Sequence, residues 1–317
     1  MTTRRLGLTT AYVALALIWG SSFLLIKEAL LGLTPGQVAV GRIALGALTL
    51  RTLMVIADRQ WPREARFWGH MTVVGLLLCL VPFSLFAWAG ESLPSGLSAI
   101  LNASTPLMTA VATAAVVPSE RMGARQGLGI ALGAAGVVIV VAPWGLGGFT
   151  SIPGQLACLG ATACYGLGFA YLRRFVVGQH RYDSLTVSTV QLTTAAGVAV
   201  VASPLLAAGQ QADQPSFTVV SLGALALLGV FGTGIAYIWN TAVVTSWGPV
   251  AASTVTYLTP LVGVALGAAV LGETLSWNQP VGGLVVIAGI VLAHRARPQA
   301  TAQGPAVSVM IAEPSAT

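Results

Sequence analysis

Apolar residues run along this chain in blocks of about twenty, and short polar or glycine- and proline-rich breaks separate them. A helix rises 1.5 Å per residue, so about 20 apolar residues cross the hydrocarbon of a bilayer. The pattern predicts ten such helices, over 9–30, 35–57, 67–89, 94–117, 127–142, 153–177, 185–208, 219–244, 249–271 and 280–294. The breaks carry turn chemistry, as in Gly32-Leu33-Thr34-Pro35 and Trp144-Gly145-Leu146-Gly147-Gly148. The first block continues to Ala29, a spanning length, so Arg4 and Arg5 are read as flanking an uncleaved helix rather than a signal peptide. From Pro298 to Thr317 the chain is rich in Ala, Pro, Gln and Ser without period, and is expected to be a disordered cytoplasmic tail.

Composition agrees with this pattern. Of 317 residues only 8% are charged and 56% are hydrophobic. That is too little charge to cover a water-soluble protein, for which about 25% is usual. The net charge of +6 does not point to nucleic acid, because the arginines cluster in the breaks. With the N-terminus inside the cell, Arg4, Arg5, Arg59, Arg63, Arg66, Arg121, Arg125, Arg173, Arg174, Arg181, Arg295 and Arg297 all fall on the cytoplasmic side. The opposite loops have none, unless Lys27 near a helix end is counted. This is the positive-inside bias, and it predicts a multi-pass plasma (inner) membrane protein with both termini cytoplasmic.

Self-comparison adds a repeat. Gly75–Pro106 aligns without a gap on Gly229–Pro260, matching Phe83 with Tyr237 and Thr105-Pro106 with Thr259-Pro260. The spacing E-x8-G-x6-G occurs at Glu120, Gly129, Gly136 and again at Glu273, Gly282, Gly289. Trp19-Gly20-x-x-Phe23-x-x-x-Lys27 matches Tyr165-Gly166-x-x-Phe169-x-x-x-Arg173. Residues 1–143 and 153–296 are therefore expected to be two units of five helices each. An odd helix count inserts the second unit upside down, which is an inverted-repeat transporter architecture with a site near the midplane.

With the Trp19–Phe23 sequence W-G-S-S-F, the doubled Thr-Pro and the doubled E-x8-G-x6-G, the chain resembles the EamA-type branch of the drug/metabolite transporter superfamily. The resemblance covers nearly the whole chain before the tail. It implies ten helices, cytoplasmic termini, and export or exchange of small metabolites such as amino acids, purines or drugs. Tyr165 stands where tryptophan is often found in the second unit.

Several side chains are candidates for the site. Pro106 and Pro260 fall within predicted helices, where each frees the carbonyl four residues earlier, those of Asn102 and Thr256. Such carbonyls could line a wet path or be closed by nearby threonine hydroxyls. Trp19, Phe23, Phe83, Tyr165, Tyr237 and Tyr257 lie deep in spans, and Asn240 shares a helical face with Tyr237. They suit the wall of a cavity for amphiphilic molecules, or ordinary packing. Arg42 lies seven residues into the second span, about 10 Å deep. It could hold a substrate carboxylate, or bond helix-end carbonyls or Gln191. Lys27, Glu28 and Arg51 are placed to snorkel, and Glu91 to sit at the mouth. No Asp or Glu falls at mid-depth in a span, which favours facilitated movement or exchange over a buried proton carrier.

Other chemistry finds little support. Cys79, Cys158 and Cys164 are isolated in apolar stretches, so neither a disulfide nor a metal site is expected, and no cofactor is implied. His70, His180 and His294 lie at span ends, and neither G-x-S-x-G nor H-E-x-x-H occurs, which speaks against an enzyme. A carrier of phosphorylated or nucleotide sugars would want more cavity cations than Arg42 and Lys27, and a receptor or scaffold without transport is the alternative from another class. Gly129-x-x-x-Gly133 and Gly263-x-x-x-Gly267 fit close helix crossings. The fifth and tenth helices could pair between subunits of a homodimer or within one chain.

Overall fold

The structure is a computed structural model, and it describes residues 2–116, 123–141, 151–179, 182–207, 217–247 and 252–295. The tail after Arg297 lies outside the described residues, as do Glu120, Arg121, Arg181 and Asp213. Among the described residues the architecture is all-helical. The helices are α1 (Thr2–Leu30), α2 (Pro35–Ile56), α3 (Ala65–Gly90), α4 (Ser95–Val116), α5 (Ala124–Val141), α6 (Ile152–Phe175), α7 (Ser184–Ala207), α8 (Val219–Trp247), α9 (Thr254–Leu271) and α10 (Asn278–Arg295). Eight of them, α1–α4 and α6–α9, are long and apolar enough to cross a membrane, and α5 offers the shorter apolar stretch Gly127–Val140.

Local chemistry sets several helix starts. At α2, Thr34 Oγ1 accepts from Gln37 N while Gln37 Oε1 accepts from Thr34 N, and Pro35 needs no partner in the first turn. Thr218 and Ser221 form the same reciprocal cap on α8. Gly272 ends α9 in the left-handed region, φ 64°, which costs glycine nothing.

Four helices depart from regular α geometry, and they do so in matched pairs. Helix α3 carries a π-turn at Leu76–Leu80 and α8 one at Val230–Ile235. These positions correspond under the Gly75/Gly229 register. Helix α4 breaks at Ala103–Ser104 and restarts at Thr105, while α9 enters through a 3₁₀ turn, Thr254–Tyr257, and continues from Thr259. Each restart places proline second in the new helical piece, where its missing N–H costs least. The expected mid-helix prolines are thus first-turn prolines.

The packing exchanges elements between the two halves of the chain. Helix α1 packs on α8 and α9, as α6 packs on α3 and α4. Helix α2 meets α8 as α7 meets α3. The pairs α2–α7, α4–α9 and α5–α10 complete the set. Glycines allow the close crossings. A Cβ on Gly263 would sit 2.5 Å from that of Ala99, and one on Gly20 2.5 Å from that of Val262. In α5–α10, a Cβ on Gly136 would come within 2.5 Å of Val286 N, and one on Gly289 would strike the backbone of Gly133. The repeated glycines therefore join α5 to α10 inside one chain.

Candidate functional site

Where the four irregular helices meet α1, α2 and α6, the interior leaves a cavity of about 660 Å³, its open mouth included. Helix α1 contributes Trp19, Ser22, Phe23 and Ile26, one face at spacings of three and four. From α2 comes Arg42, and from α3 come Leu78, Phe83 and Phe86. Helix α4 adds Asn102 and Thr105, and α6 adds Tyr165 and Phe169. Tyr237 and Asn240 of α8, with Ser253 and Thr256 at the start of α9, close the wall.

The π-turns hold this wall in place. A π-turn leaves main-chain groups outside the regular ladder, and side chains take them up. Tyr237 donates its hydroxyl to the Leu78 carbonyl in the α3 π-turn. Trp19 Nε1 donates to the Gly232 carbonyl in the α8 π-turn, at 3.1 Å. In the same turn Thr233 donates to Leu228 O at 2.9 Å and accepts from Arg42 Nε at 3.2 Å. The bonds of Tyr237, Trp19 and Arg42 each join one half of the chain to the other. The aromatic rings then stack edge to face: Trp19 on Tyr237 at 6.3 Å, Phe83 on Tyr237 at 6.4 Å, and Phe23 on Phe86 at 5.4 Å. Phe86 also stacks on Tyr165 at 6.1 Å.

Nine of the twelve residues expected from sequence line this cavity: Trp19, Phe23, Arg42, Phe83, Asn102, Tyr165, Tyr237, Asn240 and Thr256. Pro106, Pro260 and Tyr257 do not. Tyr257 packs beside Leu107 and Val286. The two prolines are buried where their helices restart, and the carbonyls they would free are closed. Thr105 donates its hydroxyl to Asn102 O at 2.7 Å, and Thr259 donates to Thr256 O at 2.9 Å. Threonine supplies the hydrogen bond that proline cannot. The breaks therefore present side chains to the cavity, not bare carbonyls, and Asn102 Nδ2 reaches Thr259 Oγ1 at 3.4 Å to tie the two together.

Arg42 is 4% exposed, and its guanidinium lies 3.7 Å from the centre of the Phe83 ring. Among the described residues neither a helix-end carbonyl nor Gln191 accepts a hydrogen bond from it. Gln191 instead donates to Cys79 Sγ at 3.5 Å. Sequence reasoning missed Ser22, Ile26, Leu78, Phe86, Thr105, Phe169 and Ser253. Phe169 was legible as the repeat partner of Phe23, and Ser22 and Ile26 as the helical neighbours of Trp19. Leu78 had no signal, because its place depends on the π-turn.

Contacts between halves also join the helices at both ends of the bundle. At the Leu30 end, Glu273 accepts from Ser95 N at 2.7 Å, Ser95 Oγ at 2.8 Å and Gly96 N at 3.1 Å. The carboxylate thereby caps the first turn of α4. At the opposite end Tyr12 and Thr254 share a hydroxyl hydrogen bond of 2.8 Å, and Tyr12 lies 5.7 Å from Trp247. Arg59 pairs with Asp183 at 3.0 Å on that side. Arg51 is exposed and donates to Thr193 Oγ1 at 3.1 Å, while Glu91 is exposed just past α3, where partial burial pushes its carboxyl above the usual range.

Comparison with known proteins gives a consistent answer. A protein of Escherichia coli K12 named as an uncharacterized inner membrane transporter, YedA, is 26% identical over 293 residues, 90% of each chain. A Salmonella typhimurium protein named as a probable amino-acid metabolite efflux pump is 25% identical over 87% of this chain and 90% of its own. One solved crystal structure superimposes with a TM-score of 0.61 over 90% of this chain and 96% of its own, at 19% identity, a likeness of fold alone. The family model described as the EamA-like transporter family matches residues 6–142 and again 152–295. The chain is a multi-pass membrane protein of the EamA-like transporter family.

Proposed function

We propose that this protein exports or exchanges small amphiphilic metabolites across the cell inner membrane, by alternating access to the cavity at Trp19, Arg42 and Tyr237. In this reading all ten helices span the bilayer as two oppositely inserted units, residues 1–143 and 153–296, with both termini cytoplasmic. The observation that carries it is the cavity itself, whose two sides come from equivalent irregular turns of α3 and α8 and equivalent breaks of α4 and α9. The twofold match to the family and the exchanged packing of α1 and α6 support the inverted arrangement. The inner-membrane placement follows the name of the Escherichia coli relative, and amino-acid metabolites follow the name of the Salmonella one.

A wall that sets seven aromatic residues beside seven polar ones suits amphiphilic molecules. Among the described lining residues only Arg42 is cationic, so phosphorylated or nucleotide sugars are poor candidates. Reconstitution in sealed liposomes, loaded in turn with amino acids, their acylated derivatives and aromatic drugs, tests the proposal. Saturable flux of at least one solute, reduced by Tyr237→Ala or Asn102→Ala, is expected. Protein-dependent flux of none of them would overturn it.

A further inference from the structure

Of the described residues lining the cavity, Arg42 alone bears a formal charge, and no carboxylate among the described residues pairs with it. A guanidinium this deep in a membrane protein is costly unless its donors are satisfied and its charge balanced. The protein meets only part of that need. Nε goes to Thr233, whose own hydrogen is already committed to Leu228 O, and one face of the group rests on Phe83. These two contacts fix the plane of the guanidinium. They leave the Nη1/Nη2 edge, a parallel pair of donors that matches the two oxygens of a carboxylate. Among the described residues no atom accepts a hydrogen bond from either Nη, and neither is sealed from the cavity space.

Asn240 lines the cavity too, but its Oδ1 is closed to solvent and accepts no hydrogen bond among the described residues. The cavity thus offers one fixed cationic fork beside apolar rings at Phe23 and Phe86.

We infer that Arg42 makes this site selective for organic monoanions, with a carboxylate on the Nη edge and an apolar body on the phenylalanine wall. The inference rests on the proposed transport reading, and names the substrate class of that same cavity. A dianion would bring an unbalanced negative charge into the site, and a cation would meet Arg42 as a like charge. Neutral amides keep the shape but lose the charge-assisted pair.

The test uses the full-length protein in lipid nanodiscs and calorimetric binding of N-acetyl-phenylalanine against N-acetyl-phenylalaninamide, which differ only in carboxylate against carboxamide. The acid is expected to bind about ten- to a hundredfold more tightly, the worth of a charge-assisted pair. Arg42→Gln should bring the two within about twofold, and Arg42→Lys should keep part of the preference, since lysine retains the charge but not the fork. The wild-type comparison stands even if a variant fails to fold. Equal binding of acid and amide, binding of neither, or an acid preference that survives Arg42→Gln overturns the inference. Liposome flux of a neutral or cationic solute that persists in Arg42→Gln would remove anion selectivity while leaving transport intact. Acid binding without flux of any solute would do the reverse.

Discussion

The threonine before each proline is predicted to replace the hydrogen bond that proline removes, and a double-mutant cycle at Thr259 and Pro260 measures this directly. Thr259 is fully buried and closes the Thr256 carbonyl at 2.9 Å. Valine keeps the shape but removes the hydroxyl, leaving a carbonyl unpaired away from water, at a cost of about 1–3 kcal/mol. Pro260→Ala restores an N–H four residues beyond Thr256, which makes the ordinary helical bond to the same carbonyl once the break closes into regular helix. In that background Thr259→Val should cost about 1 kcal/mol or less, giving a coupling of roughly 1 kcal/mol or more. Equilibrium unfolding in mixed detergent–dodecyl sulfate micelles gives the four free energies. An equal cost of Thr259→Val in both backgrounds, within about 0.3 kcal/mol, would refute the reasoning, because threonine and proline would then be independent.

Two further outcomes follow from the packing and the ends of the bundle. Gly289→Val should destabilise the α5–α10 pair by about 1–3 kcal/mol through overpacking against Gly133, read in the same micelle titration, whereas Gly197→Ala, in open space, should not share this clash. The raised Glu91 pKa means that the native carboxyl holds its proton to higher pH than in the unfolded chain, so its stabilising contribution is present below the carboxylate range and fades as pH rises. Glu91→Gln should remove that small dependence from unfolding curves. Flux should not respond to an imposed pH gradient in either form; a gradient response lost in Glu91→Gln would show proton coupling through this residue.

Much of the architecture was legible because a bilayer forces long apolar runs. The cavity was partly legible too. Repeat symmetry picked out Phe83 with Tyr237, and depth in the span picked out Arg42. The π-turns were not legible. Leu76–Leu80 sits inside an unbroken apolar segment, and Gly232-Thr233-Gly234 in Val230–Ile235 signals irregular backbone without marking one extra residue per turn. Their effect is to bring Leu78 into the wall and Thr233 under Arg42, which periodicity alone could not place. The prolines left two readings open. A Thr-Pro pair within an apolar run allows a bare carbonyl on a wet path or one closed by a threonine hydroxyl, and the side-chain geometry selects the second at Thr105 and Thr259.

The account depends on a single cavity reached from either membrane face in turn, and cysteine labelling with membrane-impermeant reagents tests this most directly. Asn240→Cys in a background without the native cysteines would be probed in right-side-out and inside-out vesicles. One sample would carry a bifunctional cross-link between Ser95→Cys and Glu273→Cys, and the other between Tyr12→Cys and Thr254→Cys, the contacts that join the helices at the two ends. Each cross-link should block labelling from its own side and leave the opposite side reactive. Labelling from the same side in both samples, or from neither side without any cross-link, would contradict the account.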